Sequence, residues 1–172
     1  VKNMLMIKYF ILIVILCAST GIGLLVSKKY KDRVIELREF RNALNILENK
    51  IKFTYEPLQE IFDQMSENLI ENVANIFKKT KSNLRKMETQ EAWNDAIEEC
   101  KLNLNSEDIS IIKNFGKLLG KTDVEGQISE IKLTSSFIDT QIEKAEKEKE
   151  KNEKLYKTLG TVVGLAIVII LI

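Results

Sequence analysis

From Leu159 to Ile172 no side chain carries a charge, and that run limits what the chain can be more than any other stretch. Extended back to Leu155 and wound as a helix at about 1.5 Å per residue, it reaches roughly 27 Å, close to a bilayer's hydrocarbon thickness. A second apolar run, Tyr9 to Val26, lies near the other end and stops at Lys28, Lys29, Lys31 and Arg33. Both read as transmembrane helices, 9–26 after a short tail (1–8) and 155–172 with no polar tail to follow. The first run could also be a signal peptide, which starts basic and turns apolar, but a signal's apolar core is usually about 7–15 residues before a small-residue cleavage site. Here the run continues through Leu24, Leu25 and Val26, which favours an uncleaved anchor. Ile15-Leu16-Cys17 is a poor lipoprotein signal because a bulky leucine precedes the cysteine.

Basic flanks set orientation, and acids weigh little in that rule. Lys2 and Lys8 precede the first run and four cations follow it. Lys144, Lys147, Lys149, Lys151, Lys154 and Lys157 precede the second, and nothing basic comes after. Both ends therefore point to a cell-membrane protein with a cytoplasmic middle and its termini outside. Ser19 and Gly23, and Gly160 and Gly164, are small residues four apart, a spacing that lets helix backbones approach closely in lipid. Glycine is also common in membrane helices for its own sake, so the pairs alone do not establish contact.

All 25 acidic residues lie between the two spans, together with all the basic ones except Lys2, Lys8 and Lys157. A nearly neutral middle lacks the basic stripe that nucleic acid requires. One proline and seven glycines in 172 residues argue for helix. There is no histidine and there are two cysteines, which removes zinc sites, imidazole bases and Ser-His or Cys-His catalysis. Cys17 and Cys100 lie in different segments and read as unpaired, buried or half-buried thiols. No carboxylate pair announces itself, so neither an enzyme nor a cofactor is expected.

The middle, 27–142, reads as an all-α antiparallel bundle of about six helices flanked by the N- and C-terminal transmembrane helices. Val34, Leu37, Phe40, Leu44, Leu47 and Ile51 recur at steps of three and four, so one helix continues out of the first span with a buried stripe. Pro57 should open a new helix, since proline suits a first turn and not an interior. The apolar positions from Leu58 to Phe77 fit two short helices or one kinked one. Lys78 to Lys86 has weak periodicity and reads as a loop. Thr89 to Trp93 begins the next helix, with Trp93 as a core anchor. Asn105-Ser106-Glu107-Asp108 is a capped helix start, whose stripe of Ile109, Ile112, Phe115 and Leu119 should end at Gly120. Thr122-Asp123-Val124-Glu125 has capping-box spacing and opens the last helix, with Ile128, Ile131, Ile138, Ile142 and Ala145 facing inward. Residues 143–154 are Lys/Glu-rich and read as a helical stalk held by side-chain pairs three and four apart, or as a charged linker. Gly120-Lys121-Thr122 ends like a phosphate-binding loop, but Phe115 stands where that motif needs glycine and no strand precedes it.

Three stretches carry a family resemblance. Leu47 to Leu58, ending Tyr55-Glu56-Pro57-Leu58, is similar to the Leu-Glu-x-Glu-Ile-x-Tyr-Gly-x-Thr-Pro-Leu segment of stage III sporulation protein AB. Leu119-Gly120-Lys121-Thr122-Asp123, with Gln127, matches that family's Leu-Gly-x-x-Asp-x-x-x-Gln. Leu155, Tyr156, Leu159, Gly160 and Gly164 match its entry into the last span. Three positions depart: Lys50 stands where an acid is usual, Thr54 where a glycine is, and Glu56 where a threonine is. The resemblance implies a non-enzymatic mother-cell membrane protein, similar to the F-type platforms of type II secretion and type IV pilus machines. It also implies a cytosolic secretion-type ATPase and other membrane proteins of one channel complex as partners, with self-association open. Structural or interface roles are expected at Pro57, Leu58, Leu119, Gly120, Asp123, Gln127, Leu155, Tyr156, Leu159, Gly160 and Gly164. The rivals are a two-span receptor-like protein and a membrane-anchored scaffold without a motor.

Overall fold

The computed structural model describes residues 2–171 apart from Tyr55 and Leu118, with side chains described from Met6 onward. The described residues form α1 (Lys2–Phe53), α2 (Leu58–Asn68), α3 (Glu71–Asn83), α4 (Thr89–Glu99), α5 (Ser106–Phe115) and α6 (Val124–Leu171). No strand occurs among them. The chain divides into two compact units, one of Arg33–Lys144 and one of Val1–Asp32 with Ala145–Ile172. The apolar runs are the outer parts of α1 and α6, and α6 stays helical through its Lys/Glu-rich segment.

In the Arg33–Lys144 unit, the predicted α1 stripe of Val34, Leu37, Phe40, Leu44, Leu47 and Ile51 is buried throughout. Phe40 joins a cluster around Trp93, whose ring lies 5.5 Å from Phe77, 5.7 Å from Phe115 and 6.2 Å from both Phe40 and Phe62. All five side chains are essentially inaccessible to solvent, and each contributes about 1.5–3 kcal/mol of burial. The indole Nε1 donates to the Ile112 carbonyl at 2.7 Å, so the tryptophan buries its ring without orphaning its polar atom.

Four local expectations are corrected. Residues 78–83, read as loop, are the last turns of α3. The sequence signal was weak because the buried face there is a threonine: Thr80 is fully buried and donates its hydroxyl to the Ile76 carbonyl at 2.7 Å. Helix α5 stops at Phe115 and does not run to Gly120. Gly116 is the C-cap, and a Cβ there would stand 2.4 Å from Trp93 Cδ1, so only glycine lets the helix end lie this close to the indole. The Thr122–Glu125 capping box does not form. Asp123 caps α6 instead, its Oδ1 accepting from Gly126 N–H at 2.9 Å, and it brings negative charge to the positive end of the helix. Finally, Cys100 is half-buried as expected but Cys17 is exposed, on the outer face of the apolar run of α1.

Charges on α1 hold the ends of other elements. Arg33 is buried and its Nε donates to Asp108 Oδ2 at 2.7 Å, with Nη2 to Oδ1 at 3.1 Å. Asp108 is itself half of the capping box with Asn105 that starts α5. Glu36, 2 % exposed, accepts from Asn103 N–H at 2.6 Å and from the side-chain amides of Asn72 and Asn103. Glu39 accepts from Ile70 N–H at 2.9 Å, which fixes the break between α2 and α3. Arg33 had counted among the cations flanking the first span, but it is an internal partner and not a surface charge.

Removing one member of a buried ion pair leaves the other charged and unpaired, at about 3–5 kcal/mol. Asp108→Ala should destabilise the Arg33–Lys144 unit by that amount, whereas Lys117→Ala, an exposed change, should fall within about 0.5 kcal/mol. Urea titration of the full chain in detergent, followed by Trp93 fluorescence, compares the two.

Candidate functional site

The motif residues gather in two places, one in each unit. In the Arg33–Lys144 unit, the two separated motifs meet. Pro57 N-caps α2, its carbonyl accepting from Glu60 N–H at 2.9 Å and Ile61 N–H at 3.1 Å. Leu58 follows, and its Cδ1 lies 3.0 Å from where a Cβ on Gly120 would stand. Gly120 has φ of 75°, a left-handed conformation that glycine adopts without strain. Beside it Leu119 is buried at 2 % exposure. The backbone angle is what favours glycine here, and the leucine over it leaves little room for a side chain.

A cleft of about 590 Å³ opens at this junction, lined by Pro57, Leu58, Leu84, Met87, Thr89 and Lys121 among others. Asp123 and Gln127 do not line it. Asp123 caps α6, and Gln127 Nε2 donates to the Thr122 carbonyl at 3.1 Å. Their part is to shape the turn that carries Gly120. Among the described residues, Thr122 Oγ1 and Gln127 Oε1 are buried without a hydrogen-bond partner.

The positions departing from the family pattern come together on the other side of Pro57. Lys50 Nζ hydrogen-bonds Gln64 Oε1 and lies 3.7 Å from Glu56 Oε2. Gln64 Nε2 in turn donates to Glu56 Oε2 at 3.1 Å. The cation at 50 and the acid at 56 thus compensate one another. Thr54 Oγ1 donates to the Lys50 carbonyl at 2.9 Å and closes the end of α1. Tyr55, also in this motif, lies outside the described residues.

A second concavity, about 500 Å³, lies between α5 and α6 and is lined by Ser110, Ile111, Asn114, Thr134, Phe137 and Gln141 among others. Sequence periodicity missed it, because α6 buries Thr134, Ser135 and Gln141 while leaving Phe137 half exposed. At one end Lys144 Nζ donates to Glu107 Oε1 at 2.9 Å. That bond, with a second from Gln141, holds the Glu107 carboxyl below the usual carboxylate range.

In the unit containing the apolar runs, the two small-residue pairs pack against each other. A Cβ on Gly160 would lie 2.9 Å from both Gly23 Cα and the Ser19 carbonyl oxygen, and one on Gly23 would lie 2.6 Å from the Tyr156 carbonyl oxygen. Ser19 Oγ donates to the Gly160 carbonyl at 2.7 Å. Gly164 faces Leu16 and Ser19. Tyr156 stacks on Tyr30, with centroids 5.8 Å apart and planes at 14°. Leu155 and Leu159 point outward. Both long helices pass the length and hydropathy requirements for crossing a membrane.

The sequence matches the family described as Stage III sporulation protein AB across residues 8–172. The chain belongs to that family. Stage III sporulation protein AB of Bacillus subtilis (strain 168) is 29 % identical over 170 residues, covering 96 % of this chain and 99 % of the relative. A solved structure of Stage III sporulation protein AB superposes with a TM-score of 0.64 at 25 % identity, covering 69 % of this chain and 96 % of that one. The family places the chain in sporulation, and the two long apolar helices are consistent with a membrane protein there.

Two outcomes test these contacts. Gly160→Leu has no room against Gly23 and should part the apolar helices while the urea transition of Trp93 is unchanged. Spin labels at Val26→Cys and Thr158→Cys, in a Cys17→Ser/Cys100→Ser background, should report a longer distance, and an unchanged one would count against the contact. The second outcome concerns Glu107. Because its folded pKa is depressed, its contribution to stability is full above the unfolded value and is lost as pH falls through the folded one. Glu107→Gln should therefore flatten the acid side of the stability–pH curve, measured by urea midpoints between about pH 3 and 7.

Proposed function

We propose that this protein is a non-enzymatic membrane platform of a sporulation complex linking mother cell and forespore. Its Arg33–Lys144 unit would lie in the mother-cell cytoplasm, receive a secretion-type ATPase, and pass force along α6 to the membrane. The observation that carries the reading is the pair of apolar helices, joined through Gly23 and Gly160, on a chain of this family. The lysines that follow one run and precede the other favour the cytoplasmic side under the positive-inside rule. That preference does not need Arg33, since Lys28, Lys29 and Lys31 remain exposed.

The cleft at Pro57, Leu58 and Met87 is the contact we assign to the ATPase. It is where the two motifs of the Arg33–Lys144 unit converge, and it leaves apolar side chains at an open surface. Other membrane proteins of the complex, or a second copy, would meet the outward faces of the apolar helices.

Lys86 is exposed in the turn after α3, so Lys86→Cys reports the side on which the unit lies. Cys100 is a poor competitor, because burial raises its thiol pKa and lowers its thiolate fraction at neutral pH. A membrane-impermeant maleimide should label Lys86→Cys only after permeabilisation, and labelling of intact cells would fit the receptor-like arrangement instead. The ATPase should co-purify with the full chain in detergent, and Met87→Glu should reduce its recovery about tenfold, the effect expected of losing one well-packed interface residue. Full recovery with Met87→Glu would exclude the cleft. Failure to co-purify with the unaltered chain would leave a scaffold without a motor.

A further inference from the structure

The groove between α5 and α6 holds a polar atom that the fold does not satisfy. Gln141 is 2 % exposed and lines the groove, and its Oε1 has no hydrogen-bond partner among the described residues. Its amide nitrogen donates to Glu107, which fixes the orientation, since turning the amide over would set its oxygen against a carboxylate. A buried acceptor without a donor is uncommon in folded proteins, and each one has a reason. One turn back on the same face of α6, Phe137 also lines the groove and is 50 % exposed. Ser110 and Thr134 bring hydroxyls to the same lining. Two acids and one cation stand there as well. Lys144 is held by Glu107 at 2.9 Å, and Glu130 enters no ion pair among the described residues.

We infer that this groove receives an arginine side chain of a partner protein, its guanidinium lying on Phe137 and donating to Gln141 Oε1. A guanidinium is planar, stacks on aromatic faces and carries its donors in a fixed fork. Stacking and donation thus come from one group, whereas an ammonium offers a point charge and no plane. Glu107 offsets the lysine beside Gln141, so an incoming cation meets no uncompensated positive charge, and Glu130 leaves the lining negative. The groove shares no lining residue with the cleft at Pro57. The inference therefore depends neither on the ATPase contact nor on the side of the membrane that the Arg33–Lys144 unit faces.

The probe is Nα-acetylarginine methylamide, titrated against the full chain in detergent and followed by saturation-transfer NMR. Saturable binding is expected with a Kd of about 1–10 mM, the strength of a single side chain. The citrulline analogue, equal in shape but uncharged, and the lysine analogue should each bind at least about fivefold more weakly. Gln141→Met removes the acceptor and should weaken arginine binding at least about fivefold. Phe137→Leu removes the ring at a half-exposed position, and should weaken it about as much even if Gln141→Met does not fold. Both are checked by the urea transition of Trp93. Glu67→Gln/Glu91→Gln, exposed acids outside the groove, should leave binding unchanged. No saturable binding to the unaltered chain would overturn the site and leave the Gln141 oxygen to water. Equal affinity for the citrulline or lysine analogue would also overturn it, as would binding that survives Phe137→Leu or falls equally in the control. Conversion of a dimer to a monomer by the arginine amide, read by light scattering, would assign the groove to a second copy instead.

Discussion

Arg33, Glu36 and Glu39, three residues apart on α1, hold the Arg33–Lys144 unit together in a way apolar packing could not. Glu36 and Glu39 accept from backbone N–H groups at Asn103 and at Ile70, the start of α3, and Arg33 pairs with the Asp108 carboxylate that caps α5. Short helices leave several N–H groups without partners at each start. Apolar burial pulls α2 to α5 around Trp93, but a hydrophobic stripe has little directional preference. The charges add direction by giving the starts of α3 and α5 and the loop at Asn103 fixed partners on α1. Arg33 and Asp108 are nearly out of water, so the pair is costly when broken and adds less net stability than its geometry suggests.

Much of this architecture was legible in the residues. The α1 stripe, the capped start at Asn105, the break at Pro57 and the core role of Trp93 follow from spacing and side-chain chemistry that act within a few residues. What was not legible depended on contacts distant in sequence. The C-cap of α5 is Gly116, packed on an indole 23 residues earlier in the chain, and Gly120 looked like the stop because that contact is not visible in sequence. The last turns of α3 bury a threonine, which hydropathy counts as polar. Arg33 and Glu36 are indistinguishable in sequence from the solvated charges around them, because their partners lie on other helices.

The motif positions divide in the same way. Pro57, Leu58 and Gly120 could be singled out only as separate letters, yet the fold makes them neighbours. Asp123 and Gln127 keep the turn between α5 and α6, and their spacing reflects capping chemistry. Lys50 and Glu56 are separate departures in the sequence, and the fold brings their opposite charges within 3.7 Å of each other. The groove between α5 and α6 had no sequence signal, since its walls alternate polar and apolar groups.

The contact at Gly23 and Gly160 has a mechanical consequence. Two backbones touch there with no side chain between them, and neither helix can turn by one residue, about 100°, without bringing Leu24 or Leu159 into a gap too narrow for a methyl group. Rotation of one helix against the other is therefore blocked, and the Gly164–Ser19 contact and the Tyr30–Tyr156 stack hold the pair on either side of the crossing. The crossing is a clamp: a turning motion applied to one helix there must carry the other with it.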